Sequence, residues 1–214
     1  MKAIRPLIIA MIILALCLVA TITYFTLRTD RLYVHIGKSY SEVVKDSTFP
    51  VIRKTALYPG NPQKVDSTWI TSPVIITFDD PDHGFTLPKT LYGAVGYKNE
   101  KVESIKTSPM LKALPFDQVI KLLNDLQTTL KTSGWTPDIS EGNGWIIASS
   151  DEERVKLQAK LFTQVERITL LIPKKYSLLI HLKCYARCDE RNNETARYLI
   201  DLGMSDDFFS NTNE

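Results

Sequence analysis

The stretch VERITLLIPKKYSLLIHLKCY, residues Val165–Tyr185, decides the fold class. It contains two apolar runs, Val165–Ile172 and Tyr176–Tyr185, on either side of the short segment Pro173–Lys175. Apolar runs of this length that are bounded by turn residues are typical of two strands joined in a β-hairpin. The sequence therefore predicts an antiparallel sheet in the C-terminal half of the chain.

A second hairpin is predicted upstream of the first. Its strands are Leu91–Tyr97 and Val102–Thr107, and the polar residues Lys98–Lys101 form its turn. Two further segments have strand composition: Trp69–Phe78 and Trp145–Ala148. The segment Ala56–Ser67 contains the turn residues PGNP and few apolar residues, so it is predicted to be a loop.

Four segments have helical patterns: Ser39–Lys45, Phe116–Thr132, Asp151–Leu161 and Glu194–Leu202. The second is the clearest, because its apolar residues form one stripe at helical spacing between Pro115 and Gly134. Ser150 and Glu153 have the spacing of a capping box at the start of the third. Gly203 is predicted to end the last helix. These elements predict an α+β fold, with one or two antiparallel sheets packed with two or three helices.

The N-terminal segment predicts a membrane anchor. Leu7–Leu27 is an uncharged run of 21 residues, which as a helix spans about 30 Å, the thickness of the hydrocarbon core. We interpret it as an uncleaved transmembrane signal anchor in the bilayer of a bacterial inner membrane, with the N-terminus in the cytoplasm. A signal peptide cleaved after Ala20 and a lipoprotein acylated at Cys17 are weaker alternatives. The predicted organisation is an anchor at 1–30, a periplasmic domain at 31–204 and a flexible tail at 205–214.

The composition excludes several classes of protein. Charged residues make up 23% of the chain and hydrophobic residues 44%, which is typical of a globular domain and not of a disordered or fibrous one. Removing Lys2, Arg5 and Arg28 of the N-terminal segment from the 26 basic residues leaves 23, against 24 acidic residues. A domain with this balance has no excess of positive charge for a phosphate backbone, so nucleic-acid binding is not expected.

Two cysteines lie outside the apolar run, Cys184 and Cys188. A single pair in an exported domain predicts a disulfide. In a straight strand two residues at this spacing are about 13 Å apart, which is too far for a bridge, so the chain must bend within Tyr185–Arg187. Two free thiols, or a metal site that also uses His181, are the alternatives.

The polar cluster between Phe78 and Phe85 is the candidate binding site. It contains Asp79, Asp80, Asp82 and His83. Exposed carboxylates can meet a basic partner surface, but Asp, Pro and Gly also form ordinary turns between strands. The chain lacks nucleophile-elbow, phosphate-loop and metalloprotease motifs. We therefore expect no enzymatic activity, metal, cofactor or small-molecule substrate.

Two resemblances suggest a function. Ile36–Val43 and Gly96–Val102 resemble the helix and following hairpin of small bacterial envelope proteins of the outer-membrane-assembly lipoprotein and β-lactamase-inhibitor-like kind. The layout of an anchor, an α+β domain and a late disulfide resembles membrane-anchored periplasmic immunity proteins of type VI secretion. These resemblances imply a domain that binds another protein, foremost as an inhibitor of a secreted toxin. An envelope assembly or scaffolding factor is the alternative, and a small envelope hydrolase is a weaker one.

Overall fold

The computed structural model describes residues 29–58, 61–141 and 144–207, and the described residues from 31 onward belong to one compact unit of the chain. The helices of the described residues are α1 Tyr40–Asp46, α2 Val51–Lys54, α3 Phe116–Thr132 and α4 Asp151–Leu161, with a 3-10 turn at Ile139–Glu141. The strands are β1 Asp30–Val34, β2 Thr55–Tyr58, β3 Asn61–Ile70, β4 Val74–Phe78, β5 Phe85–Thr86, β6 Gly93–Lys98, β7 Lys101–Thr107, β8 Thr136–Pro137, β9 Glu166–Ile172, β10 Tyr176–Ala186 and β11 Arg197–Asp206.

Eight strands form one large sheet, in the order β2-β3-β6-β7-β11-β10-β9-β8. Every neighbouring pair in it is antiparallel. Both predicted hairpins are confirmed, as β6–β7 and β9–β10. In the first, Asn99 and Glu100 have φ of 51° and 62°, the left-handed conformation that a tight hairpin turn requires at its two central residues.

One face of the large sheet carries the core. Along β11, Tyr198, Ile200, Leu202 and Met204 are buried and alternate with partly exposed residues, because successive side chains of a strand point to opposite faces. Helix α3 packs on this face, where the ring of Phe116 lies 5.5 Å from that of Tyr198. The residues between the buried ones therefore point to the opposite face of the sheet.

The small sheet, in the order β1-β4-β5, is attached to this core by aromatic rings. Phe78 at the end of β4 stacks on Phe85 of β5, with ring centroids 5.3 Å apart. The Phe78 ring also meets Trp135 and Tyr176 edge to face, at 6.1 and 5.2 Å. This cluster fixes the loop between β4 and β5 against the start of β10.

The predicted helices α1, α3 and α4 are confirmed. Helix α3 begins and ends at the predicted residues, Phe116 and Thr132. Helices α1 and α4 both start with complete capping boxes, formed by Ser39 with Glu42 and by Ser150 with Glu153. Local sequence signals of this kind act within one turn of the chain and do not depend on tertiary contacts.

The helix predicted at Glu194–Leu202 is wrong, because the chain from Arg197 onward forms β11, and Glu194 and Thr195 belong to a turn that precedes it. Its apolar residues fit both a helical stripe and the two-residue period of a strand, and short apolar runs are ambiguous between the two. Pairing with β10 and β7 on its two sides determines the outcome. Gly203, predicted to end a helix, lies inside the strand.

The loop predicted at Ala56–Ser67 is also wrong, because β2 and β3 occupy this part of the chain. Strand β2 is an edge strand in which the apolar side chains of Leu57 and Tyr58 are exposed, so the segment lacks the alternation of buried apolar and exposed polar residues by which such strands are recognised. The single strand predicted at Trp69–Phe78 is two strands, β3 and β4, which belong to different sheets. Pro73 lies between them and cannot donate a ladder hydrogen bond.

The strand predicted at Trp145–Ala148 does not form. The backbone N–H of Ile146 donates to Oε1 of Gln127 at 2.9 Å, and its carbonyl accepts from Nε2 of the same side chain at 3.1 Å. A buried glutamine of α3 therefore satisfies the backbone groups that a neighbouring strand would otherwise pair.

The predicted fold class needs one correction, which concerns the membrane. Within the described ranges, no helix has the length and apolar character needed to cross a bilayer. The run Leu7–Leu27, on which the transmembrane prediction rested, lies outside those ranges. What the structure describes is an α+β fold that is mostly sheet, in two sheets, without a transmembrane helix.

The disulfide is confirmed. Cys184 of β10 is bonded to Cys188, and their Cα atoms are 5.9 Å apart. The chain bends between them at Arg187, whose φ is 59°, within the predicted segment. The free-thiol and metal alternatives for this pair are therefore wrong.

We expect alkylation of denatured, unreduced protein to label Cys17 alone, and prior reduction to add two labels by intact mass. The double variant C184S/C188S should lose at most about 2 kcal/mol of unfolding free energy, because the bridge closes a very short loop. Three labels without reductant would contradict the disulfide.

Candidate partner-binding groove

A large cavity lies on the face of the eight-stranded sheet opposite α3. Its volume is about 1000 Å³. Strands β7, β10 and β11 form its floor, and the segments around Leu91 and Leu111 form its rim. We call this cavity the sheet groove.

Strand register places the floor residues next to one another. His181 of β10 lies opposite Asp201 of β11, and Leu179 lies opposite Gly203. On the other side of β11, Lys106 of β7 also lies opposite Gly203. Apart from Gly203 itself and its two chain neighbours, no atom of the described residues comes within 4 Å of a Cβ built at Gly203. The floor is therefore uncovered at its Gly203 end.

An ion pair lies in the middle of the floor, between Gly203 at one end and Tyr185 at the other. The carboxylate of Asp201 accepts from Lys183 Nζ at 2.5 Å on one side and from the hydroxyl of Ser108 on the other. Both charged side chains are about one-third exposed. Because Asp201 is held from both sides, its carboxylate and the Lys183 ammonium are fixed and largely neutralise each other.

The imidazole of His181 is neutral at physiological pH. Desolvation lowers the pKa of His181 below its usual 6.5, and the positive charges of Lys183 and Arg167 act in the same direction. The charge of Asp201 opposes these effects without cancelling them. His181 therefore adds a polar but uncharged group to the floor.

The sheet groove carries more positive than negative charge. Lys106, Lys112 and Lys183 line it, against the single carboxylate of Asp201. Within the described residues, Lys106 and Lys112 have no ion-pair partner. The groove is thus cationic, although the sequence after residue 28 has one more acidic than basic side chain.

The rim is apolar and exposed. Tyr92 and Tyr185 are 67% and 64% exposed, and Leu91 and Leu111 are also largely exposed. Exposed apolar side chains gathered around one cavity mark an interaction surface more often than scattered ones do. Tyrosine is enriched at binding surfaces because its ring buries a large area while its hydroxyl stays hydrated.

The loop predicted as the partner-binding site, Asp79 to His83, lies elsewhere, between β4 and β5. Asp80 is buried and accepts hydrogen bonds from Tyr176 Oη at 2.8 Å, from Lys175 Nζ at 2.9 Å, and from the backbone N–H groups of Asp82 and His83. Desolvation alone would raise the pKa of Asp80, but these donors outweigh it and hold the pKa well below its usual value. The expectation that its carboxylate is exposed is wrong.

The other members of this loop differ in their surroundings. Asp79 is partly buried and accepts from Lys38 Nζ and, at 2.8 Å, from His35 Nδ1. His83 Nδ1 lies 3.2 Å from the carbonyl oxygen of Ser133. Asp82 has an exposed side chain. That this loop binds a partner stays a prediction, with only Asp82 freely available for such contact.

Sequence reasoning missed the sheet groove because it assigned part of β11 to a helix. In a helix, Asp201 would have no fixed relation to Lys183 or Ser108. The available signal was the alternation of Tyr198, Ile200, Leu202 and Met204, which places Asp201 on the face opposite the core.

Comparison of the chain with protein-family models, with curated proteins and with solved structures finds no match. The resemblances to envelope and immunity proteins therefore stay predictions. The function is inferred below from the geometry and chemistry of the sheet groove.

Proposed function

We propose that this chain is a protein-binding protein of an oxidising compartment, and that the sheet groove binds a segment of its partner. The observation that carries the proposal is the uncovered floor at Gly203 surrounded by the exposed apolar rim. An apolar surface of this kind costs free energy in water, which binding a partner would recover.

The disulfide supports export. The bond between Cys184 and Cys188 would not persist in a reducing cytoplasm, whereas it is stable in the bacterial periplasm. This bond supports the proposal that the domain of residues 31–204 lies in the periplasm.

The polar groups of the groove support binding rather than catalysis. The hydroxyl of Ser108 donates to Asp201, and that carboxylate is already paired with Lys183. A nucleophilic serine donates its proton to a base that is free to take it, whereas the Ser108 hydroxyl donates to a carboxylate that is already paired and, among the described residues, makes no hydrogen bond with His181. The floor of the groove is uncovered at Gly203 and its rim side chains are exposed, whereas pockets for small substrates enclose most of the ligand surface.

The toxin-neutralising and envelope-assembly roles predicted from the sequence are both forms of this function. Both need a stable complex with a second protein, and neither needs chemistry at the groove. The identity of the partner decides between them.

Photocrosslinking tests the proposal and identifies the partner. A benzophenone amino acid replaces Tyr92 at the rim, and in a matched control it replaces Ile139, which is 86% exposed and does not line the groove. We expect irradiation in cells to give a protein adduct from position 92 and none from position 139, with the partner identified by mass spectrometry. A protein adduct from position 139 alone would refute the proposal.

A further inference from the structure

We infer that the segment bound in the sheet groove is acidic and amphipathic, with carboxylates that face Lys106 and Lys112 and apolar side chains that contact the floor at Gly203 and the apolar rim. This inference rests on the proposed function and specifies the chemistry of the partner. It follows from where the unpaired charges and the free space of the groove lie.

The unpaired lysines of the groove favour an acidic segment. Lys183 is neutralised by Asp201 at 2.5 Å, so it attracts a ligand only weakly. Lys106 and Lys112 have no anionic partner within the described residues. A carboxylate beside either ammonium would be attracted, whereas a basic segment would be repelled.

The free space on the floor favours apolar side chains in the segment. Gly203 lies at one end of the floor, opposite Leu179 and Lys106, and no described atom outside its chain neighbours comes within 4 Å of a Cβ built there, so this end offers room for an apolar side chain beside a lysine. Interfaces typically seat apolar anchor residues in such uncovered places. Apolar residues of the segment therefore occupy the floor, and its acids lie beside the lysines.

A second copy of this chain is a poorer occupant. In a two-fold symmetric contact through the groove, each surface would meet its own counterpart. Lys106 and Lys112 of one copy would then lie close to the same lysines of the other. Like charges at an interface are destabilising, so the excess of lysine disfavours self-association through this face.

The test uses a phage library of short random peptides, selected on the full chain and counter-selected on the variant G203V, in which a valine side chain fills the floor. We expect the groove-dependent peptides to be enriched in Asp and Glu together with Leu, Phe, Tyr or Trp. A synthetic copy of the best peptide should bind the double variant K106Q/K112Q about tenfold more weakly, and its association should slow as salt is raised. The control K121Q, on the outer surface of α3, should bind like the wild type.

The possible results distinguish failure of this inference from failure of the proposed function. Groove-dependent peptides without acidic residues, or equal binding by K106Q/K112Q, would overturn the inference and leave the proposed function in place. Failure to select any groove-dependent peptide, together with binding of dodecanoate or self-association that G203V abolishes, would assign the groove to a lipid or to a second copy. That result would overturn the proposed function itself.

Discussion

Replacing Asp80 with asparagine should lower the unfolding free energy by about 3 kcal/mol at neutral pH. The carboxylate is buried and accepts from Tyr176, Lys175 and two backbone N–H groups. An asparagine amide would point donor hydrogens at groups that are themselves donors, so at least one hydrogen bond is lost and Lys175 loses its counter-charge. Since domains are stable by only about 5–15 kcal/mol, the loss is large.

The effect should depend on pH in a defined direction. The pKa of Asp80 is lower in the folded state than the usual value of 3.8 for an aspartate. Its stabilising effect is therefore fully present above about pH 5 and is lost as pH falls through the folded pKa. Urea unfolding at about pH 7 and about pH 3 should show a smaller difference between wild type and D80N at the lower pH.

Asp82 provides the matched control, because it lies in the same loop with an exposed side chain. D82N should change the unfolding free energy by no more than about 0.5 kcal/mol. Equal and small effects of D80N and D82N would show that the contacts of Asp80 contribute no net stability.

Replacing Gly203 with valine should weaken partner binding about 100-fold or more while leaving the fold intact. The new side chain projects into the groove at the Gly203 end of its floor, where an added Cβ meets no described atom apart from its chain neighbours, and so removes the space that an anchor residue of the partner would fill. The φ of Gly203 lies outside the left-handed region, and valine favours strands. Unfolding free energy should stay equal or rise by up to about 1 kcal/mol.

The control for this variant is G144V. Gly144 also has no described atom within 4 Å of an added Cβ, and it lies outside the groove. G144V should bind the partner with wild-type affinity in a calorimetric titration. If G203V binds as tightly as G144V, the partner does not occupy the floor of the groove.

The sequence predicts the parts of this fold whose signals are local. Helix α3 has a complete apolar stripe between Pro115 and Gly134, and α4 has a capping box at Ser150. The hairpins β6–β7 and β9–β10 each join neighbouring stretches of chain through a short turn. In all of these, the deciding contacts lie within a few residues or across one turn.

The wrong predictions concern segments whose secondary structure is determined by pairing with distant parts of the chain. Strand β11 is placed by pairing with β7, about 100 residues earlier in the chain, and periodicity alone does not reveal that pairing. Strand β2 is an edge strand whose exposed Leu57 and Tyr58 give no alternation of buried and polar residues. Long-range pairing overrides local preference in such segments.

The disulfide, the sheet groove and the acidic loop also differ in whether local or distant residues determine them. The disulfide depends on a bend of four residues, and the sequence predicts it. The sheet groove brings together Ser108, Lys183 and Asp201 from three strands or their ends, so no single motif contains it. The acidic loop was found as a motif, but the sequence did not show that Tyr176 and Lys175 bury and pair one of its carboxylates.

Lysine footprinting of the complex tests most directly whether the sheet groove is the binding site. The protein is acetylated briefly with and without the partner, and the reaction at each lysine is measured by mass spectrometry. We expect Lys106 and Lys112 to react about tenfold more slowly in the complex. Lys121 and Lys156, which are 80% and 74% exposed on α3 and α4, should react at the same rate in both samples. Unchanged reaction at Lys106 and Lys112, with protection of Lys121 or Lys156, would contradict the account.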